Sequence, residues 1–181
     1  KEWKIVRDAS IHPEGYLRSS TSGEYKVELN SPKLEYSEMG KLQEVVHALR
    51  HAGAVVNESC GMHVHVDASN HNRQSLKNLL SLMYSKEDLL FKALKTDPAR
   101  VNRWCQRVRE PMLQRARRLS NEPTTDLTQL ENIWYEGCIS AHEHYNWTRY
   151  YALNLHSVFY RGTIEWRCFN STLHAGRAKA Y

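Results

Sequence analysis

Cysteine is scarce: the 181 residues hold four, Cys60, Cys105, Cys138 and Cys168, and no two form a CxxC pair. That spacing argues against a zinc ribbon and against a disulfide scaffold, and favours reduced thiols in a cytosol. Long apolar runs are missing; nothing approaches the roughly 18 apolar residues that span a bilayer. No charged-then-apolar leader stands at Lys1, so a cytoplasmic protein without membrane attachment is expected. Internal repeats and low-complexity tracts are missing too, which excludes solenoid arrays and coiled linkers. Neither sign of charge dominates: 25 Lys and Arg face 20 Asp and Glu, a net of +5. The excess is compatible with anionic partners but does not separate nucleotides from nucleic acid or acidic substrates. What remains, 41% hydrophobic and 25% charged residues, is an ordinary globular balance. The length fits one domain over residues 1–181.

Hydrophobic periodicity organises the chain. Trp3 to Val6 reads as a short strand, followed by a polar loop through Gly23. Tyr25 to Leu29 alternates apolar and polar, and Asn30-Ser31-Pro32 ends it. Glu38 to Ala52 carries Met39, Leu42, Val45, Val46 and Leu49 on one helical stripe, stopped by Gly53. Ala54 to Val56 reads as a short strand and Gly61 to Asp67 as a longer one. Ser75 to Leu94 is helical by its leucine spacing, with a break expected near Ser85. Arg100 to Leu119 reads as a third helical stretch interrupted by Pro111, and Leu127 to Ala141 as a short helix with a loop. Arg149 to Tyr160 and Thr163 to Phe169 read as antiparallel strands joined at Arg161-Gly162, and the tail from Leu173 starts another helix.

Strand side chains alternate faces with period two. In Gly61 to Asp67 the even positions are Met62, Val64 and Val66, and the odd ones are His63, His65 and Asp67. Glu28 lies on the polar face of its strand, Glu165 and Arg167 share a face of theirs, and Asn154 and His156 share a face of another. Such faces could simply be solvated. Together they suggest a sheet with helices behind it and a charged front able to hold divalent cations and a phosphate. Carboxylate oxygens suit Mg²⁺ or Mn²⁺, and a guanidinium fork suits phosphate oxygens.

Two segments carry a resemblance. Cys60-Gly61-Met62-His63-Val64-His65-Val66-Asp67 is similar to the Gly-Met-His-x-His strand of the glutamine synthetase superfamily, and Arg161 to Arg167 is similar to its Arg-x-x-Ile-Glu-x-Arg strand. With Glu28 to Pro32, Arg149 to His156 and Phe169 to Ala175, in that order, the chain resembles the amidoligase family, a compact branch of the carboxylate–amine ligases. The resemblance implies an α+β fold: a curved, mainly antiparallel half-barrel sheet with helices on its outer face. It also implies an activity: ATP phosphorylates a carboxylate, and an amine displaces the phosphate to leave an amide. ATP with Mg²⁺ or Mn²⁺ would be the cofactors, and the substrates a small-molecule, peptide or protein carboxylate and amine. By position Glu28, His63 and Glu165 would hold metal, with Glu28, Glu165 and Arg167 forming the catalytic set. His65, Arg149 and Arg167 would meet nucleotide or phosphate, and Asn154 and His156 substrate.

One departure stands beside the resemblance. The family's first strand carries a Glu-x-Glu pair, and here Glu2 is alone. Both ends are therefore expected to cut through a larger domain, and a neighbouring subunit of an oligomer could supply an acidic pair. Asp67 and Glu24 are the other carboxylates at hand. Two other readings stay open: a catalytically silent relative that binds nucleotide or an anionic partner, and a metal-dependent hydrolase using His63, His65 and Asp67. The hydrolase would need a barrel of about 250 residues. Seven arginines between Arg100 and Arg118, with Arg100, Arg103 and Arg107 on one helical face, could form a polymer footprint, but nucleic acid is not the expected partner.

Overall fold

The computed structural model describes residues 2–12, 26–137 and 143–181. Glu24, Tyr25, Cys138 and the end of the helix expected through Ala141 lie outside the described residues. The chain divides into two compact units, residues 1–60 with 171–181 and residues 61–170.

In the first unit β1 (Lys4–Arg7) pairs antiparallel with β2 (Val27–Asn30), Val6 standing opposite Glu28. A 3-10 turn at Tyr36–Glu38 leads into α1 (Met39–His51), and Gly53 follows with a φ of +84° that an L side chain rarely adopts. The terminal α7 (Ala175–Ala180) packs on α1. The strand expected at Ala54 to Val56 does not form; Val55 and Val56 are exposed, so no apolar burial holds them in a ladder.

The second unit holds β3 (Gly61–Asp67), α2 (Arg73–Leu94), α3 (Pro98–Arg103), α4 (Glu110–Arg117), α5 (Thr128–Trp134), β4 (Leu153–Asn154), α6 (His156–Arg161) and β5 (Thr163–Asn170). Its sheet is antiparallel in the order β3-β5-β4. Helix α2 starts where the Asn72 side chain accepts from the Ser75 N–H and Ser75 Oγ accepts from the Asn72 N–H. It buries Leu76, Leu80, Met83 and Phe91 along one face. Met112, Leu113, Leu130, Trp134, Leu153, Ile164 and Cys168 complete the core of this unit. Among the described residues no helix is long and apolar enough to cross a membrane.

Four expectations need correction. Helix α2 runs unbroken through Ser85, whose hydroxyl turns back to donate to the Leu82 carbonyl. The stretch from Arg100 to Leu119 is two short helices, because Pro98 and Pro111 each suit a helix's first turn rather than its middle. The long strand from Arg149 to Tyr160 is instead a 3-10 turn (Trp147–Tyr150), the two-residue β4 and α6, so Asn154 and His156 do not share a strand face. Gly162, with φ +73°, ends α6 in the left-handed region and turns the chain into β5. Finally, Val66 is 47% exposed, so the even face of β3 is not uniformly core.

The arginines between α3 and α4 do not make one face either. Arg100 is buried, Arg107 pairs with Asp88 at 2.7 Å, and Arg109 and Arg115 both pair with Glu136.

Two buried groups yield predictions. A Cβ on Gly61 would lie 2.6 Å from Nη1 and 2.7 Å from Cζ of Arg100, whose Nη2 donates to the Arg167 carbonyl at 3.3 Å. Gly61→Ala must push this buried guanidinium aside, and is expected to lower unfolding stability by about 1–3 kcal/mol in urea titration. Glu87 is 3% exposed and both its oxygens accept from the Val108 N–H; burial lifts its carboxyl to about 7 from an ordinary 4.5. The folded state therefore holds a proton that the unfolded chain releases between these values. The stabilisation is complete below pH 4.5 and is lost as pH rises through 7. Glu87→Gln should remove that loss, so its stability relative to wild type improves from acid to pH ~8 by on the order of 3 kcal/mol.

Candidate functional site

Cross-strand register builds a cluster on the polar face of the second unit's sheet. His65 stands opposite Glu165, and Asn154 stands opposite Glu165 on the other side, so one row crosses all three strands. The register shifts between Met62 and Val64, where His63 faces two residues of β5, Arg167 and Cys168. Alternation then puts His63 on the face of His65, and Arg167 two residues beyond Glu165.

Glu165 is 6% exposed and its carboxylate is the centre of the cluster. Oε1 accepts from Arg167 Nη1 at 2.6 Å, and Oε2 from Asn154 Nδ2 at 2.5 Å. His63 Nδ1 approaches Oε1 to 3.5 Å and His65 Nε2 to 3.7 Å. Arg167 Nε donates to the Trp104 carbonyl at 3.2 Å, which fixes the guanidinium from behind. Asn154 Oδ1 is buried without a hydrogen-bond partner among the described residues.

Burial holds the His63 imidazole well below its ordinary value, and Arg167, Arg100, His65 and Arg149 push the same way. His65 is lowered by burial, with Glu165 opposing and Arg161 and Arg167 assisting. Both rings are therefore neutral near pH 7. Arg149 lies in the 3-10 turn; its Nη1 donates to the His144 carbonyl at 3.4 Å. The guanidinium carbons of Arg149 and Arg167 lie 5.5 and 5.8 Å from the Tyr150 ring centroid.

The structure thus gathers His63, His65, Glu165, Arg167 and Asn154, with Arg149 near enough to act on His63. His156 turns to a different partner: its Nδ1 lies 2.5 Å from the Tyr135 hydroxyl, and its ring stacks on Tyr160. Burial raises the Tyr135 phenol, so the hydroxyl stays protonated and donates. Glu28 belongs to the first unit, on exposed β2, and the cluster described here is that of the second unit. Asp67 sits at the end of β3, where its side chain caps the turn by accepting from the Ser69 N–H and hydroxyl.

Sequence reasoning missed two contributors, Thr163 and Ser157. Thr163 Oγ1 lies 3.0 Å from His65 Nδ1, and Ser157 Oγ lies 2.8 Å from Thr163 Oγ1. The parity that marks Glu165 and Arg167 also marks Thr163, so the strand pattern held that signal. Ser157 had none, because its segment forms a helix.

Among the described residues no group of three or more His, Cys, Asp or Glu is arranged to hold a metal ion. The donor chemistry agrees. The second unit offers two imidazoles and one carboxylate already bound by a guanidinium and an amide, whereas Mg²⁺ requires near-octahedral oxygen ligands. These residues alone do not fit a resident Mg²⁺.

The second unit thus sets a buried Glu–Arg pair, two histidines and nearby arginines on one sheet face. The family model described as "Putative amidoligase enzyme" matches residues 1–181, and the chain belongs to that family. No curated protein and no solved structure matches the chain.

The Asn154 bond gives a ranked prediction. Asn154→Ala strips a donor from the buried Glu165 carboxylate and should cost about 1–3 kcal/mol in chemical denaturation. Asn154→Asp should cost more, because it sets a second carboxylate against the first. Equal stabilities for the two variants would show that the bond does not hold Glu165.

Proposed function

We propose that the chain is an ATP-dependent carboxylate–amine ligase that forms an amide or isopeptide bond through an acyl phosphate. A carboxylate oxygen of one substrate attacks the γ-phosphorus of ATP; the new O–P bond forms as the β,γ-bridging bond breaks and ADP leaves. The amine nitrogen of the second substrate then attacks the acyl carbon, gives up a proton, and inorganic phosphate departs. Little covalent work falls to the protein; cations orient oxygens and offset charge.

The observation that carries this reading is the convergence of Arg149 and Arg167 on Tyr150 beside a single carboxylate. Arg149 and Arg167 also act on His63, and Arg161 and Arg167 on His65, so guanidinium groups gather around the two rings. Like charges gathered in a partly buried place are stabilised by an anion. A triphosphate and an acyl phosphate have that charge and can accept from a guanidinium fork. Arg167 would meet the transferring phosphoryl group from its fixed seat on Glu165 and Trp104, and Arg149 would meet the phosphate or the substrate carboxylate. Asn154 Oδ1, without a hydrogen-bond partner among the described residues, would accept from a substrate N–H that reached it.

The nucleotide would enter as its Mg²⁺ or Mn²⁺ complex, so the cation belongs to the substrate. The metal role of Glu28, the substrate role of His156 and the half-barrel sheet rest on the resemblance alone. The carboxylate and amine could be small molecules or groups on a peptide or protein.

The test begins with MgATP binding by thermal shift and calorimetry. Arg149→Ala should weaken binding tenfold or more, since a charge-assisted hydrogen bond contributes about 1.5–3 kcal/mol. Incubation with pooled carboxylates and amines should then release ADP and phosphate in step with an amide. When the carboxylate oxygens are isotopically labelled, one label should appear in the phosphate. Amide formation with no label in the phosphate would refute the acyl phosphate. Absence of MgATP binding would refute the ligase reading.

A further inference from the structure

Helix α1 turns two histidines away from the core of the first unit. Val46 is buried, Leu42 and Leu49 lie half-buried on the same side, and His47 and His51 stand roughly opposite them, both exposed. The two are four residues apart, the spacing that brings side chains together on successive turns. Among the described residues no hydrogen bond or ion pair engages either imidazole; the rings meet each other, with centroids 4.6 Å apart and planes tilted by 47°. We propose that His47 and His51 form a chelating site for a divalent transition metal, Cu²⁺ or Ni²⁺.

The ring spacing fits one ion held by both. A metal–nitrogen bond of about 2.0–2.1 Å sets each ring centre about 3.2 Å from the ion, so rings at about 90° have centres about 4.5 Å apart, and rings at about 109° about 5.2 Å apart. The observed 4.6 Å falls at the right angle. Right angles belong to the tetragonal and square-planar sets of Cu²⁺ and Ni²⁺, whereas Zn²⁺ takes a tetrahedral one. Imidazole nitrogen also excludes Mg²⁺, which asks for oxygen. His51 is the last residue of α1, so a cation held there meets the negative end of the helix dipole. Arg50, in the same turn, works against the cation, so chelation rather than local charge supplies the affinity. Among the described residues no third His, Cys, Asp or Glu completes a metal-holding group. Two imidazoles therefore bind the ion, and water or an outside donor takes its other positions. The site belongs to the first unit and does not rest on the ligase reading.

The experiment titrates the ¹⁵N-labelled chain with Cu²⁺ and follows paramagnetic broadening of its amide resonances. Calorimetry with Cu²⁺, Ni²⁺, Zn²⁺ and Mg²⁺ supplies the affinities. Substoichiometric Cu²⁺ should broaden the resonances around His47 and His51 before those around the other histidines. His47→Ala and His51→Ala should each weaken Cu²⁺ binding at α1 tenfold or more, because either change leaves a single imidazole without the intramolecular second ligand. Both side chains are exposed, so each variant should keep the circular dichroism spectrum of the wild type. Cu²⁺ should bind more tightly than Ni²⁺, Ni²⁺ more tightly than Zn²⁺, and Mg²⁺ should not bind at α1. Broadening that begins equally at all histidines would mean an adventitious ion only and would overturn the proposal. So would a single variant that binds Cu²⁺ as the wild type does. Zn²⁺ binding tighter than Ni²⁺ would overturn the right-angled geometry, and with it the choice of metal.

Discussion

The buried ion pair between Glu165 and Arg167 sets the terms for the rest of the second unit. A carboxylate taken from water is costly unless its lone pairs are filled and its charge is matched. β5 places both partners two residues apart on one face, so a single strand carries the pair at 2.6 Å. Neither residue could do this alone: Asn154 fills the second oxygen from β4, and the Trp104 carbonyl takes the far side of the guanidinium. Because these contacts come from three segments, the strand register and the position of Trp104 are tied to one carboxylate. A partly satisfied version would be worse than an apolar core, which is why such networks are specified as a whole.

The same pair explains the electrostatics around it. Arg167 pairs with Glu165, and Arg100, Arg149 and Arg161 also act on the two imidazoles. On the proposed reading, the guanidinium groups around the two rings would meet an anionic substrate. In the proposed ligase reaction the protein would position phosphate oxygens while the nucleotide brought its own metal.

Period-two alternation made much of this legible in the sequence. It put His63 and His65 on one face of β3 and Glu165 with Arg167 on one face of β5, and the fold pairs those faces. Glycine punctuation was equally clear at Gly53 and Gly162, where positive φ ends a helix. The reading failed from Arg149 to Tyr160. Val158, Phe159 and Tyr160 suit strand and helix alike, and α6 buries His156 against Tyr135, a partner distant in sequence. Pro111 reads from sequence as a kink or a boundary, and the chain uses it as the boundary that begins a new helix. The Arg100–Arg107 face dissolved because burial of Arg100 against Gly61 and the pairing of Arg107 with Asp88 are tertiary facts with no local signature.

The bulge in β5 has a consequence for how this segment tolerates change. Two residues, Arg167 and Cys168, stand where the facing strand has only His63. Ahead of them the ladder follows one count, with His65 opposite Glu165; behind them it follows another, with Met62 opposite Phe169. The extra residue works like a gear tooth that lets the polar cluster and the far end of the strand keep separate phase. Length is therefore guarded here more strictly than composition: a deletion at this point would rotate everything beyond it by half a pleat, and no side-chain swap could turn it back.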